Sequence, residues 1–206
     1  MTDRRSAILR AAIEIADERG LDAVSMRGVA KRVGVTPMAL YPHVGSKAAL
    51  LDGMMGELLG ELLPASTTGT WRDRLTTLAH AARSLSRRHP WFAVLQFTRP
   101  AIEPDAIRVV DAIYQGLLDA GVPDAEVPRL ERLVSTFIVG YGASEASGRF
   151  TVGDLAPRGR RGQLPDGALP AHHRLAAQLD TKVDWDAEFA ADLADLQQLI
   201  ETRARR

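Results

Sequence analysis

Three helix-start signals crowd between positions 25 and 47: Ser25 before MRGVAKRVG, the pair Thr36-Pro37, and Ser46. Serine and threonine cap a helix by accepting a hydrogen bond from a first-turn amide. Proline is tolerated at the first helical position because its missing N–H has no partner there. Gly34 falls between the first two signals, where a glycine ends a helix in the left-handed conformation. The pattern predicts two short helices joined by the tight connection Val33-Gly34-Val35-Thr36, the outline of a helix-turn-helix. A chain that turns this sharply over so short a span has few architectures open to it.

The rest of the chain narrows them further. Almost every segment has helical period, and no stretch alternates apolar and polar residues long enough to predict a sheet, so the expected fold class is all-α. A first helix runs from about Ser6 to Gly20, with Ile8, Ala12, Ile15 and Ala16 inward. Ser46 opens a longer helix that ends by Pro64, and STTGTW then reads as a linker. Further helices are expected over 71–88, around HPWFAVLQF, over 104–120, over 128–148 and in DWDAEFAADLADLQQLIE. Residues 151–170, rich in glycine, proline and arginine, read as a surface loop. The division is a head over residues 1–63, containing most of the linking helix, and a helical body over residues 64–206.

Composition removes several classes of function. There is no cysteine, so disulfides, thiolate metal sites and cysteine nucleophiles are excluded. No apolar run approaches the ~18 residues of a membrane span, and the N-terminal apolar residues are interrupted by Glu14, Asp17 and Glu18, unlike a signal peptide. A soluble, cytoplasmic protein without membrane contact is expected. His80, His89, His172 and His173 lack metal-ligand spacing, no catalytic motif appears, and neither a cofactor nor an enzymatic activity is expected. The formal charge is zero, but residues 1–50 hold eight lysines and arginines against five acids, a basic head on an acidic body.

In a helix-turn-helix the second helix enters the DNA major groove with its N-terminal residues against the base edges. Here that helix lies in TPMALYPHV. Leu40 and Val44 face inward, which leaves Thr36, Met38, Ala39, Tyr41 and His43 toward the outside. A tyrosine hydroxyl, an imidazole and the ammonium of Lys47 can each reach a phosphate oxygen, and Lys47 stands at a helix start.

The run VSMRGVAKRVGVTPMALYPHVGSKAALLDGM resembles the tetracycline-repressor family of bacterial transcription regulators: a start signal, a Leu-Tyr pair, a His followed by an apolar residue, then Lys and a Leu pair. KAALLDGM looks closest to the tetracycline-repressor subgroup itself. The resemblance implies a homodimer on double-stranded DNA with a palindromic operator, a three-helix DNA-binding head and a ligand-binding, dimerising body. It places Arg27 at a base- or phosphate-contacting position, Thr36, Pro37, Met38 and Ala39 in the base-reading stretch, and Tyr41, His43 and Lys47 on phosphates. Pro42 departs from the pattern: proline disfavours α geometry at the preceding Tyr41 and removes a donor.

In the body, Trp91, Phe92, Phe97, Tyr114, Phe137 and Tyr141 come from different helices, and their convergence on one apolar cavity for a small-molecule ligand is expected. His80, Gln96, Gln115 and Glu145 are its candidate polar anchors, His80 because its helix lines the cavity in similar proteins. Small residues at Gly140, Gly142, Ala143, Ser144 and Ala146, with the Phe189, Leu193, Leu196 and Ile200 stripe, suggest a dimer surface of two helices per chain, with part of each stripe belonging to the intrachain core. The leading expectation is a ligand-responsive repressor. The competing one is a helical small-molecule-binding protein or enzyme whose head only resembles a repressor, and salt-dependent binding to a short palindromic duplex separates them.

Overall fold

The computed structural model describes residues 4–63, 69–150, 165 and 167–205, which are helical throughout apart from turns. The head consists of α1 (Arg4–Arg19), a 3₁₀ turn (Leu21–Ala23), α2 (Met26–Val33), a second 3₁₀ turn (Pro37–Leu40), α3 (Tyr41–Val44) and α4 (Lys47–Gly60). The body follows as α5 (Trp71–Arg88), α6 (Phe92–Thr98), α7 (Pro104–Asp119), α8 (Val127–Ala146), the short α9 (Pro170–Arg174) and α10 (Ala176–Leu179), and α11 (Trp185–Ala204).

The start and stop signals act as their chemistry demands. Ser25 Oγ accepts from the Gly28 amide at 3.1 Å and Ser46 Oγ from the Ala49 amide at 3.1 Å, so α2 and α4 each open on a satisfied first turn. Gly34 closes α2 at φ 75°, ψ 35°, left-handed geometry that a side chain rarely adopts. Thr70 and Asp73 form a reciprocal capping box at the start of α5.

The head packs Ile8, Leu9, Ala12, Ile15 and Ala16 of α1 against Val29 and Ala30 of α2, Leu40, Val44, and Leu50 and Met54 of α4. The Arg32 fork reaches back from α2 to α1 and holds Glu18 at 2.5 and 2.8 Å, which lowers that carboxyl below its ordinary range.

Helix α4 belongs to both parts. It packs on α1 and on α7. The expected division after residue 63, or inside the linking helix, borders residues 64–68, which lie outside the described residues, and α4 makes contacts with both parts along its length. Polar contacts among the described residues cross this division: Arg5 to Glu103 at 2.9 Å, Arg88 to Glu61 at 2.7 Å, Arg99 to Asp52 at 2.5 Å and to the Ala48 carbonyl at 3.0 Å, and Asp17 to the His89 and Trp91 rings.

In the body α5 and α7 both pack on α8. Helix α11 is tied to α5 through Arg72, which reaches Glu201 at 2.6 Å and Gln197 at 3.1 Å. The Phe189, Leu193, Leu196 and Ile200 stripe, expected to serve a dimer surface, is buried within the single chain, because these side chains complete the core under α11.

Candidate functional site

The recognition segment is two pieces rather than one helix. A 3₁₀ turn carries Pro37 to Leu40, and α3 starts afresh at Tyr41. This resolves Pro42. It falls in the first turn of α3, where its missing N–H costs no intrahelical bond, and Tyr41 keeps α geometry at φ −56°, ψ −39° despite preceding a proline. Gly45 then ends α3 at φ 66°, donating to the Tyr41 carbonyl at 2.8 Å.

Leu40 and Val44 anchor the segment at 0% and 5% exposure. Arg27, Thr36, Pro37, Met38, Ala39, Tyr41, His43 and Lys47 are all exposed on the surface that these anchors fix. Met38 is 74% exposed, far more than an apolar side chain placed for packing. The side chains of Arg27, Tyr41, His43 and Lys47 make no hydrogen bond or ion pair among the described residues, in contrast to Arg32, which is engaged by Glu14 and Glu18. The donors on this face are free for an anionic partner, and Lys47 stands at the first position of α4, where the helix end is itself positive.

The body holds a cavity of about 240 Å³ between α4, α5, α6, α7 and α8. Met55, Leu59 and Leu62 wall it from the head side, Val109, Val110 and Ile113 from α7, and Ile138 and Val139 from α8. Gln96, Arg99, Glu131 and Ser135 are its polar groups. Arg99 donates through Nε to Asp52 at 2.5 Å and through a terminal nitrogen to the Ala48 carbonyl at 3.0 Å. A cavity-wall residue is therefore bonded to the first turns of the helix that begins at Lys47.

The expected convergence of aromatics on this cavity does not occur. Of the eight candidate ligand residues, Gln96 lines it. Phe92 is core at 1% exposure, and the Trp91 indole donates to Asp17 at 2.7 Å. Tyr114 is half-buried against the core, while Phe97 is 62% exposed on an open groove between α6 and α8. His80, Phe137 and Tyr141 surround Phe189 with ring centroids at 5.1, 5.7 and 4.7 Å, and Phe150 and Trp185 extend the cluster. The cationic occupant of this cluster is Arg83, 4.7 Å over Phe189 and bidentate to Glu145 at 2.9 and 3.0 Å. Glu145 is thus an ion-pair partner, and Gln115 bonds Asp119 at 2.8 Å on the surface. The aromatics pack against α11 because the buried face of that helix needed a partner. Sequence gives no such pairing.

The residues missed were Arg99, Glu131 and Ser135. Glu131 was readable: it shares one helical stripe with Val127, Leu130, Val134 and Ile138, all buried, and a carboxylate on a buried stripe calls for a reason.

Comparison with known proteins agrees with both halves. The tetR family of bacterial regulatory proteins matches residues 8–54, and the tetracyclin repressor-like C-terminal domain matches residues 63–196. An HTH-type transcriptional regulator of Saccharopolyspora erythraea is 33% identical over 140 residues, which is 68% of this chain and 59% of that relative's length. The tetracycline repressor protein class D of Escherichia coli is 34% identical over 204 residues, covering 97% of this chain and 89% of the repressor. The structure of the Streptomyces coelicolor TetR family protein ActR in complex with actinorhodin is similar at a TM-score of 0.85 and 25% identity, with 100% of each chain covered. With a helix-turn-helix head matched over residues 8–54 and a helical body matched over residues 63–196, the chain belongs to the tetracycline-repressor family of bacterial transcriptional regulators.

Proposed function

We propose that this chain is a one-component repressor that binds a palindromic operator on double-stranded DNA as a homodimer and leaves it when a small molecule fills the cavity bounded by α4 to α8. The observation that carries the reading is Arg99. It lines the cavity and holds Asp52 and the Ala48 carbonyl of α4, so a ligand that displaces its guanidinium acts on the helix that positions Lys47. A ligand shifts DNA affinity only through differential binding to two states, and one residue shared by cavity and linking helix supplies that difference. ActR in complex with actinorhodin shows that a protein of this fold accepts a small molecule.

Pairing follows from the recognition geometry, because two heads on a two-fold axis read half-sites about one helical turn apart, at ~34 Å. With the α11 stripe occupied internally, the dimer face falls to outward residues of α8 and α11, where Leu133 and Leu199 stand 38% and 37% exposed. Such a repressor works in the cytoplasm, where the chromosome is.

The test is to select a duplex from a random pool and follow its binding by fluorescence anisotropy. A selected palindrome, steep salt dependence and release by a compound that raises the melting temperature are expected. Compounds that stabilise the protein but never change its DNA affinity would refute the inducer reading, and a light-scattering mass near 22.4 kDa would refute the dimer.

A further inference from the structure

The polar groups of the cavity are not equivalent. Arg99 is neutralised by Asp52 and further bonded to a backbone carbonyl, so it brings little unbalanced charge to the cavity. Gln96 is neutral. Glu131 is the exception. The residue is 8% exposed and lines the cavity, its Oε1 accepts from the Ser135 hydroxyl at 2.6 Å, and Oε2 has no partner among the described residues. No lysine, arginine or histidine among those residues pairs with it.

A carboxylate withdrawn from water is costly unless an opposite charge or several donors compensate it. One hydroxyl is a small compensation. The remaining lone pairs border a cavity of about 240 Å³ whose walls, apart from Gln96, Arg99 and Ser135, are aliphatic. An anionic ligand would meet a like charge there, and a purely hydrocarbon ligand would leave the carboxylate as it is. A ligand with an ammonium at one end gives it the missing partner, while its apolar part covers Val109, Val110, Ile113 and Ile138.

We propose that the cavity selects an apolar ligand bearing a basic nitrogen, whose ammonium pairs with Glu131. The assignment rests on the reading of this cavity as the inducer site and specifies the chemical class that it admits. The Ser135 hydroxyl donates to Oε1, which leaves Oε2 as the oxygen without a partner among the described residues.

The experiment uses the full chain and three probes with one hydrocarbon framework: phenylbutylamine, phenylbutanol and phenylbutanoate. Binding is measured by calorimetry and DNA release by anisotropy on the selected duplex. The amine is expected to bind at least about tenfold more tightly than the alcohol, the scale of one charge-assisted hydrogen bond, with the carboxylate weakest. Glu131→Gln, nearly isosteric, should remove the gap between amine and alcohol while keeping the alcohol's affinity, which also shows that the variant folds. Ser135→Ala retains the carboxylate and should retain the preference. Equal affinities, absence of amine binding, tighter binding of the carboxylate, or an amine preference that survives Glu131→Gln overturns the assignment. An amine that binds through Glu131 without releasing DNA upholds the ligand class and refutes the inducer reading. An alcohol that binds and releases DNA as well as the amine does the reverse.

Discussion

The Trp91 indole donates its N–H to Asp17 Oδ1 at 2.7 Å, joining the head helix α1 to the turn between α5 and α6. His89 Nδ1 lies 2.7 Å from the same oxygen. The only tryptophan of the aromatic set expected in the cavity thus fastens the head to the body, with its ring in the core and its polar edge on the neighbouring part.

Trp91→Phe should therefore lower stability without touching the ligand. The ring remains apolar while one charge-assisted hydrogen bond is lost, a cost of about 1.5–3 kcal/mol. Thermal unfolding measures the loss, and calorimetry with a cavity ligand should show affinity within about twofold of the native chain. A much larger drop in ligand affinity would return Trp91 to the cavity.

The Arg99 bridge predicts a variant that folds and binds DNA but responds poorly to ligand. Arg99→Met alone leaves Asp52, 8% exposed, without its cation, and the cost is on the order of 3 kcal/mol. The double variant Arg99→Met, Asp52→Leu removes both charges and should recover most of that loss. In the double variant, ligand binding without DNA release is expected in anisotropy. Full release would show that coupling runs through other contacts of α4.

On the DNA face two substitutions separate two kinds of contact. Lys47→Ala should weaken all duplexes alike and reduce the salt slope by about 1 for each head. Arg27→Ala should cost about 1–3 kcal/mol and relax preference at one position of each half-site if the guanidinium reads a base. Uniform weakening across sequences would assign Arg27 to the phosphate backbone.

What the sequence disclosed follows from how local each signal is. Ser25, Gly34 and Ser46 act on amides within their own turn, so the head could be read residue by residue, and the outward placing of Thr36, Met38, Ala39, Tyr41 and His43 followed from the two anchors Leu40 and Val44, while Arg27 and Pro37 were named through the family resemblance. The cavity depends on which helices meet. Periodicity marks Phe137 and Phe189 as inward but does not say that they stack 5.7 Å apart, nor that Arg83 takes the space between aromatic rings. The same limit hid Arg99, whose partner Asp52 lies 47 positions away. Pro42 was misleading for the opposite reason: a local rule was applied to one continuous helix where the chain makes a 3₁₀ turn and starts again.

Acid should loosen the body through Glu145. Burial pushes its carboxyl up, but the hydrogen bonds and charges of Arg83 and Arg87 outweigh this and hold it below its ordinary value. A carboxyl lowered by folding contributes its full stability above the unfolded pKa of about 4.3 and loses it as pH falls through the folded value. Urea unfolding from neutral pH into the acid range should show the midpoint falling at the low end. Glu145→Gln should be less stable at neutral pH and should flatten that fall, and an unchanged acid slope would place the titration elsewhere.

The glycines of α4 give the sharpest test of how head and body meet. Each would gain up to about 1 kcal/mol of helix propensity from alanine, so the sign of the effect is set by what the added methyl touches. At Gly56 it would meet Glu103 Cβ at 2.7 Å and Cγ at 3.1 Å. Glu103 is the residue before α7 and is held by Arg5, so its Cβ moves only if the start of α7 moves. At Gly60 the nearest atom is Asp105 Oδ2 at 3.2 Å, the end of an exposed side chain paired with Arg108, which can turn aside. Gly56→Ala should therefore lower the melting temperature and weaken DNA binding by disturbing the seam along which α4 joins the two parts. Gly60→Ala should be neutral or stabilising. If Gly56→Ala is as stable as the native chain, α4 and α7 are not in tight register, and a ligand acting between them would need to move them further than the Arg99 bridge implies.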